Sequence, residues 1–331
     1  MAKLISTIIP TFNRAHYILD ALNSVVAQKY RPIEIIIIDD GSTDNTEATI
    51  SDWKGRNFKS FKDVLELSLK YIKQTNAGPS AARNLGLKSS TGTYIHYMDS
   101  DDSIHPELYK EAVFKMINTN SDVCHFGMAF FAGISPTTHF NQYTPPPPTN
   151  ILDAFFENKL YGYGWGFIRT HKHCQRIGPW DTKLLNIAED RDYCFRSIIS
   201  AKCICRITTA LYFLRQHNTG RLNSDRDSYE KWSQKLYGHS KILSVMQESS
   251  SRFSQKQIGM FRSQMFNLGI NMYALGYYDL GKDFGRLGIE LKSKKPTLPE
   301  RRIQYVWHLG PTICRIWHRG RKIKSSYFKR I

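Results

Sequence analysis

The chain has 331 residues, with 41% hydrophobic, 13% aromatic and 23% charged side chains and a formal net charge of +17. This composition excludes a disordered or low-complexity polymer, and the length admits one large or two modest domains. The charge surplus calls for a polyanionic partner (nucleic acid, an anionic membrane face or phosphate-bearing substrates) without choosing among them.

Residues 4–9 form a short apolar run closed by Pro10, which predicts a buried strand. It is too short to span a membrane and carries no leader cleavage site. No other segment reaches spanning length, so a soluble or peripheral cytoplasmic protein is expected. Residues 17–28 show helical periodicity. Residues 33–38 are nearly all isoleucine, as expected of a central parallel strand covered on both faces. That run stops at Asp39-Asp40-Gly41-Ser42, and Ser42 or Thr43 is placed to cap a helix over 48–53. The connection 56–67 is irregular, and 69–73 reads as a strand. Residues 79–87 read as a helix with Pro79 in its first turn, and 93–98 as a strand running into Asp99-Ser100-Asp101-Asp102. A helix over 106–117 and a strand over 122–131 follow. The prolines 145–148 form a stiff loop, and glycines and aromatics crowd together in Tyr161-Gly162-Tyr163-Gly164-Trp165-Gly166.

Strand–helix alternation predicts an α/β domain with a mostly parallel sheet. Ligands in such sheets bind beyond the carboxyl ends of the strands, where both acidic clusters fall. Helical patterns over 229–246, 255–273 and 279–289 place a domain change near Gly220. The expected division is 1–220 and a helical region 221–331. The cysteines Cys124, Cys174, Cys194, Cys203, Cys205 and Cys314 make no regular framework and read as free thiols in a reducing compartment.

Four constellations carry chemistry, each beside a plainer reading. Asp99-x-Asp101 can turn two carboxylates toward one divalent cation, or simply be a solvated turn. Asp39-Asp40-Gly41-Ser42-x-Asp44 can meet a base or ribose, or be turn and capping chemistry. Arg83 lies one turn inside a helix opened by Asn76-Ala77-Gly78-Pro79, where it suits a pyrophosphate or an ordinary amphipathic surface. Glu189-Asp190 heads a helical run, as a general base or as macrodipole partners.

Their order is more informative than any one of them. Pro10-Thr11-Phe12-Asn13-Arg14, Ile38-Asp39-Asp40-Gly41-Ser42-Thr43-Asp44, Asn76-x-Gly78-x-x-x-Ala82-Arg83-Asn84-x-Gly86, Tyr97-Met98-Asp99-Ser100-Asp101-Asp102 and Glu189-Asp190 together resemble the family 2 glycosyltransferases of GT-A fold, over residues 3–217. The resemblance implies a catalytic domain over 1–220. It further implies an inverting transfer of a hexosyl or N-acetylhexosaminyl group from a nucleotide-diphospho-sugar, commonly UDP-linked. The acceptor would be a glycan or lipid-linked glycan hydroxyl, in bacterial capsule, O-antigen or lipopolysaccharide synthesis. Carried over residue by residue, it places Pro10, Thr11, Phe12 and Asn13 at the base pocket, with Asp40 contacting the base. Arg83, Asp99 and Ser100 lie along the nucleotide. Asp101, with Asp99, holds a manganese or magnesium ion, and Asp190 is the catalytic base. Leu214-Arg215-Gln216-His217 looks like the family's closing strand and loop, from which His217 reaches the diphosphate or metal; an ordinary surface histidine is the alternative. Glu189, Trp165 and Trp180 fall on the acceptor side, the indoles as stacking faces for sugar or as core. Arg191 stands where relatives commonly carry an aromatic residue.

After Glu300 no acidic side chain remains, while basic residues from Arg301 to Arg330 interleave with Tyr305, Trp307, Leu309, Ile313, Ile316 and Trp317. If helical, this tail is a basic amphipathic surface with interfacial tryptophans, suited to the inner face of the cytoplasmic membrane. A helix packed on the catalytic domain is the plainer reading, and the helical region can also support a homodimer. The rival from another class is a basic protein binding nucleic acid or anionic membrane through a non-catalytic α/β domain. No nucleic-acid motif supports it, and carboxylate clusters at strand ends repel phosphates unless a metal intervenes. The first turn also lacks the Gly-x-Gly-x-x-Gly of a dinucleotide-dependent oxidoreductase.

Overall fold

The computed structural model describes residues 2–58, 66–132, 139–184, 188–216, 228–293 and 296–327. They cluster into two compact units: one within 1–151, 160–185 and 189–224, the other within 152–159, 186–188 and 225–331. All six cysteines are free thiols.

The first unit is an α/β unit built on a nine-stranded sheet. Its strands are β1 (Ile5–Thr11), β2 (Ile33–Asp39), β3 (Leu67–Lys73), β4 (Tyr94–Tyr97), β5 (Ser103–Ile104), β6 (Val123–Phe131), β7 (His139–Tyr143), β8 (Phe167–Thr170) and β9 (Ile204–Arg215). Their order is β3-β2-β1-β4-β8-β6-β9-β5, with β7 beside β6. Strands β3, β2, β1 and β4 are mutually parallel, as are β6 and β9. Both faces are covered, which is why β2 needs isoleucine at almost every position. Ile33, Ile35 and Ile37 enter one core with Leu22 and Val25, while Ile36 and Ile38 enter another with Ile8, Tyr97 and Trp180.

Helices α1 (Ile18–Val26), α2 (Thr46–Trp53), α3 (Pro79–Ser89) and α4 (Leu108–Asn118) occupy the predicted segments. The start of α2 differs in its chemistry. Asp44 Oδ1, not Ser42 or Thr43, accepts from Thr46 N at 2.9 Å, while Ser42 Oγ accepts from Asn13 N. Strand β8 has no signal in the sequence, because a four-residue Phe-Ile-Arg-Thr segment shows neither periodicity. It becomes a strand only through antiparallel pairing on both sides, with Arg169 opposite Ile95 of β4 and Val123 of β6. Helix α5 (Ile151–Phe156) falls, but for its first residue, in the second unit; α6 (His171–Ile177) precedes α7 (Ala188–Ser200), whose first turn carries the Glu189-Asp190 pair.

The second unit is helical, with α8 (Tyr229–Glu248), α9 (Gln255–Leu275), α10 (Tyr278–Glu290), α11 (Leu298–His308) and α12 (Pro311–Tyr327). Capping boxes Ser254/Gln257 and Thr297/Glu300 start α9 and α11. Arg262 and the buried Glu300 form an ion pair at 2.5 Å, and Arg262 also donates to the Gly288 carbonyl. The tryptophans expected at a lipid interface turn inward instead. Trp307 lies across Gly285, donates to the Gly281 carbonyl at 3.0 Å, and shares a core with Trp317. The glycines of α10 leave room for an indole there, so the ring is worth more in the core than at the surface. No helix among the described residues is long and apolar enough to cross a membrane.

Gly86 of α3 faces β1 so closely that an added methyl would stand 2.3 Å from Ile8 Cγ2. Helix propensity alone favours Gly86→Ala by about 1 kcal/mol, whereas overpacking costs about 1–3 kcal/mol. Ile8 is fully buried with nowhere to move, so the variant should be less stable, with a lower urea unfolding midpoint.

Candidate active site

The first two motifs form the floor at the carboxyl ends of β1 and β2. Asp39 accepts from Ser42 N at 2.7 Å and from Tyr71 Oη at 2.6 Å. Asp40, expected at the base, accepts three hydrogen bonds within the protein: from Gln74 Nε2 at 2.7 Å, Ala77 N at 2.8 Å and Gly78 N at 2.9 Å. It therefore ties the end of β2 to the turn that launches α3. Asn13 has φ +52° and its Oδ1 accepts from the backbone of Thr43 and Asp44, so the loop after β1 is locked to the loop after β2. Pro10 and Thr11 end the strand, and Phe12 stands out from this locked rim at 41% exposure.

The Asp99–Asp102 cluster follows β4, and its carboxylates have separate duties. Asp102 is buried and accepts from Tyr212 Oη and Arg215 N, both at 2.9 Å. Arg215 donates to the Asp101 carbonyl at 2.9 Å and pairs with Asp20 at 2.6 Å, fixing the turn. Asp101 faces Arg14, Nε to Oδ2 3.6 Å. Asp99 faces Arg83, with Nη2 at 3.4 Å. Ser100 is buried between them in sequence.

Arg83 joins this cluster to the start of α7. Its Nη1 lies 3.3 Å from Asp190 Oδ1, and its guanidinium sits 4.6 Å over the Trp180 ring while only 6% exposed. Burial alone would weaken its hold on the proton, but the charges of Asp190, Asp99 and Glu189 reverse this and raise its pKa. For Asp99, burial is the largest influence and the charges of Asp101 and Asp190 add to it. Against Arg83, the balance lifts its pKa to about 7. Burial, then Asp101 and Asp99, likewise pushes Asp102 up. Acidic oxygens thus crowd here beyond what the arginines neutralise, an environment suited to a hard divalent cation. Among the described residues no three His, Cys, Asp or Glu side chains form a ready-made cage. The fit is to an ion held by one or two carboxylates that takes its remaining oxygens from a bound phosphate.

On the expected acceptor side, Trp180 is 1% exposed. It stacks on Tyr193 at 3.9 Å, with Arg83 over its ring. Both faces are therefore occupied, and it supports Arg83 rather than presenting a face to a sugar. Trp165 is part-buried and stacks on Tyr212 at 4.6 Å. Glu189 is buried and Asp190 part-buried in the first turn of α7, where the macrodipole favours carboxylates. Arg191 is engaged by Tyr163, whose Oη accepts from its Nη1 at 3.0 Å. His217 lies outside the described residues.

Sequence reasoning missed Arg14, Tyr212, His96 and Arg169. Arg14 sits in the first motif with no chemistry of its own attached, while His96 and Arg169 are single polar residues in apolar strands. A buried chain runs from Thr7 through Tyr109 Oη (2.7 Å) to His96 Nδ1 (2.9 Å), and from His96 Nε2 to the Trp165 carbonyl (3.0 Å). Because a carbonyl only accepts, Nε2 carries a proton; burial keeps the ring neutral, so Nδ1 accepts from Tyr109 Oη.

A family model described as Glycosyl transferase family 2 matches residues 6–177. The chain is 28% identical to the putative glycosyltransferase EpsH of Bacillus subtilis over 69% of its own length and 64% of that protein. It is 25% identical to the uncharacterized glycosyltransferase EpsJ of the same organism, over 66% of its length and 62% of that protein. It thus spans less than two thirds of these curated relatives. Among solved structures, S. aureus TarS 1–349 in complex with UDP-GlcNAc is similar in fold, with TM-score 0.59, 20% identity and 92% of each chain covered.

Burial, the largest influence in each case, lowers the pKa of His96 and His125 to about 3 and of His173 to about 4. Unfolded, each titrates near ~6.5. Below ~6.5 the unfolded state gains protons that the fold refuses, so their contribution is complete above ~6.5 and declines as pH falls toward about 4. The expected slope is about 1.4 kcal/mol per pH unit for each histidine kept neutral. Urea unfolding between pH 7 and 4 measures it, and His173→Gln should flatten the decline.

Proposed function

The chain belongs to glycosyl transferase family 2, and we propose that it moves a glycosyl group from a nucleotide-diphospho-sugar to a hydroxyl of a glycan or lipid-linked glycan, with inversion. The observation that carries this reading is Arg83, which bridges Asp99 and Asp190 at 3.4 and 3.3 Å. One cation thereby links the carboxylate assigned to the donor with the carboxylate assigned to the base. Residues 1–220 are assigned the catalysis and 221–331 the helical support.

Asp190 takes the proton of the acceptor hydroxyl. The hydroxyl oxygen forms a bond to the anomeric carbon as the bond from that carbon to the diphosphate oxygen breaks. The electron pair leaves with the nucleoside diphosphate, so one displacement inverts the centre and no enzyme nucleophile is needed. Arg83 lies where its charge offsets the charge gathering on the departing diphosphate. Asp101 and Asp99 would hold a divalent ion, manganese or magnesium, which when bound supplies further neutralisation of the leaving group. Phe12, with Pro10, Thr11 and Asn13, is assigned to the base. Asp40 serves the base side by holding the turn at Gly78, Ser100 lies along the nucleotide, and Glu189 and Trp165 border the acceptor. TarS binds UDP-GlcNAc on a similar fold, which makes UDP-sugars the first donors to test. Bacterial surface-glycan synthesis is the setting this reading proposes.

A panel of nucleotide sugars, each with and without manganese, should yield one donor that raises the melting temperature by mass action in a metal-dependent way. Asp101→Ala should abolish that shift. Asp190→Asn should keep it while slowing turnover on the order of 10²–10⁴-fold. Absence of a shift with every nucleotide sugar sinks the reading.

A second element of the proposal is peripheral attachment at the cytoplasmic membrane face. Leu298 is 82% exposed, and Tyr305 on α11, Leu309 just beyond its end, and Ile313 and Ile316 on α12 are exposed with it, alongside the exposed Arg301, Arg302, Arg315 and Arg319. Anionic lipid attracts such a surface by about 1 kcal/mol per basic residue near it. The protein should sediment with vesicles containing phosphatidylglycerol and not with pure phosphatidylcholine. Leu298→Asp together with Ile316→Asp should release it.

A further inference from the structure

Arg169 occupies the middle of β8, between β4 and β6, and is 0% exposed. An arginine buried in a sheet is costly unless its charge is met, yet among the described residues no carboxylate pairs with it. Its donors go elsewhere. Nη1 donates to the Gly164 carbonyl at 3.0 Å, and Nη2 to the Tyr163 carbonyl at 3.2 Å. Nε donates to Ser197 Oγ at 3.0 Å. The guanidinium thus bridges the 163–166 turn to α7, whose first turn carries Asp190.

The turn lies against that carboxylate. A methyl group added at Gly164 would stand 2.6 Å from Asp190 Oδ1 and 3.2 Å from the Trp180 ring. The turn is tight as well: Gly162 has φ +69° and its carbonyl accepts from Gly166 N at 2.8 Å. The Arg191–Tyr163 hydrogen bond holds the same turn from its side-chain side. The guanidinium takes up the Tyr163 and Gly164 carbonyls and so fixes the direction of the backbone that lies against Asp190.

We infer that Arg169 is a positioning residue that holds the 163–166 turn against Asp190, forming the wall where the acceptor hydroxyl is received. The inference rests on Asp190 being the base, and the test separates the two. Arg169→Lys, Arg169→Met and Asp190→Asn are compared with the wild type in the full chain. Hydrogen–deuterium exchange reports on peptides covering 161–167, melting temperature on the whole, and UDP release from the stabilising UDP-sugar on turnover. Arg169→Lys should raise exchange at 161–166 about tenfold with the rest of the chain unchanged. It should lower kcat on the order of 10²-fold while the donor KM stays within about twofold. Arg169→Met should do both more severely. If that variant does not fold, Ser197→Ala, which removes the Nε acceptor together with the hydroxyl that meets His173 Nε2, should still raise exchange in the turn. Exchange at 161–166 that stays at wild-type level, or that rises evenly over the whole chain, overturns the inference. So does a donor KM that rises as far as kcat falls. Asp190→Asn should leave exchange in the turn unchanged and lose turnover. If it turns over normally, the base assignment fails, while the exchange data still decide whether Arg169 holds the turn.

Discussion

A guanidinium held between two carboxylates organises the site of the first unit. Arg83 is buried, so its charge has to be met by protein, and Asp99 and Asp190 meet it from opposite sides. Those carboxylates belong to chain segments about ninety residues apart, one after β4 and one at the head of α7. The arginine ties the two together. Trp180 stacked on Tyr193 forms the floor under the guanidinium, and the turn at Gly164 closes over Asp190. Removal of the cation would leave carboxylates crowded in a poorly hydrated place, where burial already lifts Asp99 and Asp102.

Several acidic residues of the motifs serve the scaffold, and this division of labour explains how the site keeps its shape. Asp40 binds two backbone amides and an amide side chain of the turn before α3, which aims the helix carrying Arg83. Asp102 and Arg215 fasten the turn after β4 to the end of β9, so that Asp99 and Asp101 project from a fixed corner. Asn13 fastens the loop after β1 to the loop after β2. In the cluster after β4, Asp99 and Asp101 face arginines while Asp102 holds the backbone; after β2, both Asp39 and Asp40 hold backbone amides.

The second unit draws its order from different physics. Capped helices pack through glycines that admit Trp307, and one buried ion pair, Arg262–Glu300, joins α9 to α11. With its tryptophans turned inward, its outward apolar residues are leucine, isoleucine and tyrosine among arginines. The interleaving of apolar and basic residues was legible in the sequence. Which aromatic rings faced out was not, because that depends on the glycines of α10, a separate helix.

Local pattern gave the longer elements of the first 130 residues, though not the two-residue β5; an isoleucine run such as 33–38 is stable only as a doubly covered strand. The order of the acidic and basic motifs also pointed to the family and to Arg83, Asp99 and Asp190, because turn chemistry at strand ends is written locally. Three things were decided only by tertiary structure: β8 with its buried Arg169, the occupied faces of Trp180, and the tethering role of Asp40. Each depends on partners far along the chain, Ile95 and Val123 for β8, Arg83 and Tyr193 for Trp180, and Gly78 for Asp40. A residue's own neighbours in sequence carry the information for its backbone conformation. Its burial and its hydrogen-bond partners are set by long-range pairing, which local pattern does not encode.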